Sequence, residues 1–217
     1  TISKYYTPSG RCIQELDYTN RDDEGKVPKF SDVGRKMFKT ENGRTVYGGG
    51  GIFPDIEIEK IKTTETTKTL FDSDAFFNYV TTYFYENSSI ENASKFKLND
   101  SDFRTLKVYI SKNNEAFETK TEVNFKKAKQ QATLENLDGS LAKTYTELLA
   151  DVQLEKLKEL DKNKEEILHK LTEEIVKRYY YDEGIYMQKA VFDTTIIKAI
   201  SILNNSKKYN SILKKIN

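Results

Sequence analysis

Three residue types are scarce or absent in this chain of 217 residues, which has no tryptophan, one histidine and one cysteine. The single cysteine, Cys12, excludes an internal disulfide, but a secreted protein does not require disulfides, so the redox compartment stays open. No apolar run approaches the ~20 residues that span a bilayer, and no signal peptide is visible. The 35 basic and 34 acidic residues nearly cancel, so no overall charge attracts nucleic acid or an anionic membrane.

The single histidine limits the catalytic chemistry that the chain can hold. His169 shares a helix face with Glu165 and Glu173, and a Glu-x-x-x-His pair can bind a metal ion. One such pair supplies too few ligands without help, so a solvated helix face is the preferred interpretation. A Ser-His-Asp or Cys-His site would require His169 to meet a nucleophile from another region. We therefore predict no metal and no cofactor.

Composition divides the chain into two regions. All three prolines and most of the glycines lie in residues 1–62, which predicts a small piece built from strands and turns. From about Thr69 onward no proline occurs, and apolar residues recur at helical spacing. The predicted fold class is α+β, with a β-rich domain over 1–62 and a helical C-terminal domain over 69–217.

Short-range signals place individual strands in the first region. Thr1–Thr7 is rich in Thr, Ile and Tyr and predicts a strand, and Pro8-Ser9-Gly10 predicts the turn that follows it. Asn42-Gly43 between two apolar runs predicts a hairpin. Ile52–Ile61 alternates like a strand, with Pro54 at an edge. Strands and tight turns are therefore expected throughout this region.

Capping residues and breaks divide the second region into helices. Asp72 or Ser73 is predicted to cap one helix, and Asn99 or Ser101 another. Further helices are predicted over 119–137, 141–160, the stretch from Ile167 to Tyr179, and about 186–203, with breaks at Gly139 and Gly184.

Ser9 is a candidate nucleophile. Lys4 and Arg11 lie near it in the sequence, and a Ser/Lys dyad is active when a desolvated lysine loses its charge. The flanking Pro8 and Gly10 explain the same serine without chemistry, because serine hydroxyls stabilise turns by bonding nearby backbone groups. A structural turn is therefore the preferred interpretation, with catalysis as the alternative.

Three further groups also have structural interpretations that we prefer. Gly48–Gly51 has the composition of a phosphate loop, but no Gly-Lys-Ser/Thr follows it and it does not open a helix. Tyr179–Tyr181 beside Lys177 and Arg178 are residue types that stack on bases, but helical spacing spreads them around the axis and favours core packing. Asp55 alone is better explained as a turn or cap carboxylate than as an acid or metal ligand.

The stretch TISKYYTPSGRCIQ, residues 1–14, closely resembles a segment of the carboxyl-terminal processing peptidases, the S41 family of serine peptidases. The usual form in that family is Thr-Thr-Ala-Lys-Tyr-Tyr-Thr-Pro-Ser-Gly-Arg-x-Ile-Gln, and Ser3 replaces the usual alanine. The matching residues are Lys4, Tyr5, Tyr6, Thr7, Pro8, Ser9, Gly10, Arg11, Ile13 and Gln14.

A second stretch, NGRTVYGGGGIFPDI at Asn42–Ile56, resembles the Gly-Gly-Ile-x-Pro-Asp element of the same family, and is closest to its long bacterial members. A weaker third match, Leu171–Gly184, is similar to the helical extension of those members. The residues that match the second element are Gly50, Gly51, Ile52, Pro54 and Asp55.

The resemblance implies a fragment of a bacterial protease that cleaves proteins near their C-termini in the periplasm or cell envelope. Family members use a Ser/Lys dyad, and both dyad residues and a PDZ domain precede the first motif. Ser9 and Lys4 therefore match structural positions, and we expect no catalytic residue in this chain, which begins at Thr1. The expected partners are protein substrates of the parent and a second copy in a homodimer, with no nucleic acid. The alternative is an independent helical module that recruits a partner or substrate.

Overall fold

A single β-hairpin forms the sheet in the described part of the chain. The computed structural model describes residues 3–30, 35–59, 62–137 and 139–214. Strands β1 (Met37–Lys39) and β2 (Thr45–Tyr47) pair antiparallel, with Phe38 opposite Val46. The Gly43 N–H donates to the Thr40 carbonyl at 2.8 Å, and the φ of Gly43 is +77°, a conformation that favours glycine. The predicted hairpin at Asn42-Gly43 is confirmed.

Two other predicted strands are wrong in the residues that can be compared. The only pairing between 3 and 7 is an isolated bridge from Tyr6 to Cys12, and 52–59 contains no strand. Ile56 and Ile58 are half-buried between exposed neighbours, so the period of two is real, but no neighbouring strand pairs with it within the described residues. Alternation predicts an extended segment, whereas a strand also requires a partner. Residues 1, 2, 60 and 61 of these predicted strands lie outside the described residues.

Eight α-helices occupy most of the described residues after position 64, which confirms the predicted, mainly helical α+β fold. The chain divides into two compact units, Thr1–Glu59 with Ile197–Asn217 and Lys60–Ile196. The helices are α1 (Glu65–Phe71), α2 (Asp74–Glu86), α3 (Asp100–Lys112), α4 (Lys120–Leu134), α5 (Leu141–Lys162), α6 (Lys164–Phe192), α7 (Thr194–Leu203) and α8 (Ser206–Leu213), with a 3₁₀ turn at Asn114–Ala116 between α3 and α4.

Side-chain caps set the starts of several helices. The Ser73 hydroxyl accepts from the Phe76 N–H at the start of α2. Asn99 caps α3, and Asp102 reaches back to the Asn99 N–H to complete a capping box. The two predicted caps are confirmed, with Ser73 and Asn99 chosen from each pair of candidates.

The core of the second unit is a single apolar cluster. Helix α2 packs on α3 and α6, α1 packs on α5, and α5 contacts α6. The largest fully buried apolar side chains are Leu70, Val80, Leu106, Ile110, Phe117, Leu160, Ile167, Leu171, Ile175 and Val176. None of the helices in the described ranges is long and apolar enough to cross a bilayer.

The predicted helix break occurs, but three residues before Gly184. Helix α6 runs through Gly184 to Phe192, and its backbone departs from helical geometry three residues earlier, at Tyr181, where φ is +53° and ψ is −149°. Gly184 is buried, and a Cβ built there would lie 2.4 Å from Tyr180 Cβ and 2.8 Å from Val176 Cγ1. Glycine is therefore present at 184 because the preceding turn leaves no room for a side chain. The helix predicted to end at 203 is also followed by a further helix, α8.

We expect Gly184→Ala to lower the free energy of unfolding by about 1–3 kcal/mol, because its methyl group overpacks a buried position. Gly139→Ala is the matched control. A Cβ at Gly139 meets nothing within 4 Å, so that change should be neutral or stabilising by roughly 0.5 kcal/mol. Urea unfolding followed by circular dichroism measures both. Equal stability of the two variants would contradict the steric explanation.

Candidate functional site: two clamped motifs and a buried ion pair

The first motif forms a tight turn closed by backbone hydrogen bonds. The Thr7 N–H donates to the Arg11 carbonyl at 2.9 Å, and the Gly10 N–H donates to the Thr7 carbonyl at 2.8 Å. Gly10 has a φ of +80°, which favours glycine. The Ser9 hydroxyl lies 3.0 Å from the Thr7 hydroxyl, on the exposed side of the turn. The geometry around Ser9 is that of the predicted turn.

Lys4 forms an ion pair with Asp17. Its Nζ lies 3.5 Å from Asp17 Oδ1 and 5.3 Å from the centre of the Phe30 ring. Hydrogen bonds from the side chains of Thr19 and Asn20 help to lower the pKa of Asp17 to about 2. Asp17 is therefore a carboxylate at neutral pH, and Lys4 takes part in an ion pair. The structure does not bring Ser9 and Lys4 together as a dyad.

The two motifs are fastened to each other by backbone and side-chain hydrogen bonds. The Gly49 N–H donates to the Cys12 carbonyl at 3.1 Å, and the Gly51 N–H donates to the Gln14 carbonyl at 3.1 Å. Arg11 Nε donates to the Tyr47 carbonyl at 2.8 Å, and its Nη2 donates to the Gly51 carbonyl at 3.5 Å. Arg11 therefore joins the first motif to both ends of the glycine run.

Gln14, at the end of the first motif, also forms hydrogen bonds with backbone groups, in this case within the motif itself. Gln14 Oε1 accepts from the Tyr5 N–H at 3.3 Å, and Gln14 Nε2 donates to the Ser3 carbonyl at 3.1 Å. The Ile13 N–H donates to the Tyr5 carbonyl at 3.2 Å. Motif residues thus satisfy backbone groups that have no strand partner here.

The glycine run is a site of close packing and not a phosphate loop. Gly49, Gly50 and Gly51 all have positive φ. A Cβ on Gly50 would lie 2.5 Å from Arg35 Nη2, so a side chain there would displace the guanidinium. Residues 52–59 contain no helix and α1 begins only at Glu65, so the run lacks the helix N-terminal dipole that phosphate loops use.

Asp55 of the second motif pairs with Arg44 in the hairpin. The guanidinium of Arg44 donates to both carboxylate oxygens, with Nη1 3.1 Å from Oδ2. This contact holds the pKa of Asp55 below its usual range. Asp55 therefore closes the hairpin as a structural carboxylate.

The histidine and tyrosine candidates also have structural surroundings. His169 is exposed on α6, and no group of three or more His, Cys, Asp or Glu residues suited to a metal occurs within the described residues. The Tyr179 hydroxyl donates to the Asn87 carbonyl at 2.5 Å, and the Tyr180 hydroxyl donates to the Ile90 carbonyl at 3.2 Å. Burial raises the pKa of Tyr179. Two of the three tyrosines thus fix a loop.

A buried ion pair joins α4 to α5. Lys156 Nζ lies 2.8 Å and 2.9 Å from the two carboxylate oxygens of Glu122. It also donates to Asn114 Oδ1 at 2.8 Å and to the Phe117 carbonyl at 2.7 Å. The two side chains are 2 % and 1 % exposed. The Thr119 N–H donates to the same carboxylate at 2.8 Å, in a capping box.

Opposing effects act on the Glu122 carboxyl. Burial by itself would raise its pKa, but hydrogen bonds from Lys156 and Thr119 outweigh that effect and hold the pKa below its usual range. Glu122 is therefore ionised in the folded protein at neutral pH, and its negative charge compensates the buried ammonium.

Residues 66–203, from α1 to the end of α7, match a family model described as "Probable PDZ-protease, C-terminal helical domain". The chain belongs to this family. The predicted relationship to a protease is confirmed at this level. No curated protein and no solved structure is significantly similar to the chain.

The sequence analysis missed the ion pair of this helical domain, although two signals for it were present. Thr119-x-x-Glu122 has the pattern of a capping box. Lys156 lies four residues after Val152 and four before Leu160, on the apolar stripe of α5. A lysine at such a position requires a buried acceptor, because an unpaired ammonium is too costly to bury.

We expect Lys156→Met to destabilise the helical domain by about 3–5 kcal/mol, because Glu122 would lose its buried counter-charge. Lys158→Met is the surface control. Lys158 pairs with Glu155 in solvent and should contribute less than about 1 kcal/mol. A double variant, Lys156→Met with Glu122→Leu, should recover much of the loss. Urea unfolding of each variant measures these differences.

The lowered pKa of Glu122 gives the same experiment a pH dependence. Its contribution is present above the ordinary carboxyl pKa of 4.5 and is lost as the pH falls through the lower, folded value. The stability gap between the wild type and Glu122→Gln should therefore be largest near neutral pH and should shrink in acid. A constant gap would contradict an ionised Glu122.

Proposed function

We propose that this chain is the C-terminal part of an S41 carboxyl-terminal processing peptidase, in which residues 3–59 form scaffold beside the active site. The observation that carries the proposal is the Arg11 clamp, which joins the two motifs that resemble S41 elements. A clamp of this kind holds a turn in a fixed position, as a neighbouring catalytic group requires. The match to a PDZ-protease helical domain supports the same conclusion.

In this proposal, the chemistry belongs to a serine and a lysine elsewhere in the parent protein. The serine would attack the scissile carbonyl while the neutral lysine accepts its proton as general base. Ser9 and Lys4 would not take these roles, and their contacts with Thr7 and Asp17 support this. The fragment alone would be inactive as a hydrolase and would need no metal.

Uncovered apolar side chains support the scaffold role of the first region. Tyr5, Tyr6, Ile52 and Phe53, which lie in or beside the two motifs, are each more than half exposed. Several exposed large apolar side chains in neighbouring segments commonly mark a surface that another part of a protein covers. The remainder of the protease core would supply that cover.

The helical domain would brace the protease core, cage the substrate or form a homodimer interface. The partners would be protein substrates of the parent, without nucleic acid. The location would be the periplasm or cell envelope, where the long bacterial S41 peptidases that the motifs resemble act.

We expect the full-length parent to degrade an unfolded protein substrate and this chain alone to leave it intact. Replacement of the parent's predicted nucleophile by alanine should abolish the activity. Ser9→Ala in the parent should keep roughly the wild-type rate, since its hydroxyl only supports a turn. Arg11→Lys should lower the rate, because lysine cannot bond both carbonyls in the fork geometry of arginine. Proteolysis by the isolated chain would overturn the proposal. Loss of the parent's activity in the Ser9→Ala variant would also overturn it.

The second candidate function is an independent interaction module that recruits a partner or substrate. The observation in its favour is the single core of the unit Lys60–Ile196, which includes buried residues from Leu70 to Val176. Residues 62–203 produced alone should then be folded and monomeric, and should bind the parent's substrate in a pull-down. An insoluble product would favour the brace, which depends on the protease core.

A further inference from the structure

Helix α7 exposes large apolar side chains. Ile197, Ile200 and Leu203 are 48 %, 47 % and 62 % exposed, and Ile196 is 36 % exposed. Ile202 is the one buried side chain of this helix. Successive residues are rotated by about 100° around a helix, so Ile202 lies roughly 160° from Ile200. The helix is therefore packed by one side and turns an isoleucine-rich stripe outward.

Helix α8 also has a row of apolar residues along one side. Tyr209, Ile212 and Leu213 lie on one side of the helix, and the first and last of these are exposed. Lys207 lies opposite these apolar residues, and Lys208 lies at the edge between the two sides, because successive residues are rotated by about 100°. Both lysines are exposed, as is Lys214, which follows the end of the helix.

The charge of this segment differs from that of the rest of the chain. Residues 194–217 contain five lysines and no aspartate or glutamate. The whole chain has 35 basic and 34 acidic residues, so the remainder carries a net negative charge. Asp193, which directly precedes this segment in the sequence, accepts from the Thr195 N–H at 2.7 Å and thus caps α7. The nearly neutral total charge of the chain thus includes a short segment that is basic and apolar.

We propose that α7 and α8 form a binding surface for anionic lipid, with the outward isoleucine stripe at the boundary between headgroups and acyl chains. Short helices with lysines on one face and large apolar residues on the other lie in this way on anionic bilayers. A second copy fits less well, because an isologous contact would bring two lysine-only segments together. Nucleic acid would contact the lysines but would leave the isoleucine stripe uncovered. The proposal does not depend on the protease assignment.

A fluorescence experiment on the full chain tests whether α8 enters the lipid. The chain contains no tryptophan, so Tyr209→Trp creates a single reporter on the apolar side of α8. Its emission should shift to the blue on addition of phosphatidylglycerol vesicles and should stay unchanged with phosphatidylcholine vesicles. The control is Tyr85→Trp on α2, where Tyr85 is 81 % exposed, and its emission should not shift. An unshifted Tyr209→Trp spectrum with both lipids would overturn the proposal.

Vesicle sedimentation separates the contributions of charge and apolar contact. Lys207→Gln with Lys208→Gln should weaken binding to phosphatidylglycerol vesicles about 30-fold, and Ile200→Asn should weaken it at least about tenfold. The matched controls are Lys127→Gln with Lys129→Gln on α4, and Val108→Asn on α3, all at exposed positions; they should bind like the wild type. Unchanged binding in the test variants, or binding of an oligonucleotide without binding of vesicles, would refute a lipid surface.

Discussion

The buried contact between Glu122 and Lys156 is the interaction on which the helical domain depends. Glu122 and Ala132 are the only fully buried residues of α4, so Ala132 is its one fully buried apolar side chain. The ammonium group meets both carboxylate oxygens, the Asn114 amide oxygen and the Phe117 carbonyl. A buried pair adds little net stability over an apolar pair. Its effect is specificity, because any other packing of α4 would separate the two charges in a dry environment.

Polar side chains also hold the stretch between α2 and α3 in place. The stretch between α2 and α3 contains neither helix nor strand, and its buried backbone carbonyls require donors. Helix α6 supplies them through the Tyr179 and Tyr180 hydroxyls and the Gln188 amide, which bonds the Ala93 and Phe96 carbonyls. The backbone departure at Tyr181 lies between these donors. Polar side chains thus position the irregular parts of a domain whose core is apolar.

Local chemistry made much of this fold predictable. Ser73 and Asn99 begin their helices because a short polar side chain satisfies the first free N–H groups, and Asn42-Gly43 turns the hairpin because glycine accepts positive φ. The features that the sequence analysis misplaced or missed have a different origin. Gly184 looks like a break in sequence, but the neighbouring Tyr180 and Val176 determine its use. The Arg11 contacts with Tyr47 and Gly51 join residues about 40 positions apart, and no spacing rule predicts such contacts.

The two regions bury their apolar side chains to different extents, and this difference bears on function. The unit Lys60–Ile196 encloses Leu106, Ile167 and Leu171 completely, so it has a buried core of its own. The described residues before 60 are held by backbone hydrogen bonds and by arginine clamps, while Tyr6 and Ile52 are left more than half exposed. A layer whose apolar side chains are exposed gains stability when another layer covers them. Under the proposed function, that covering layer carries the dyad, and Arg11 contributes to catalysis by fixing the surface on which the dyad rests.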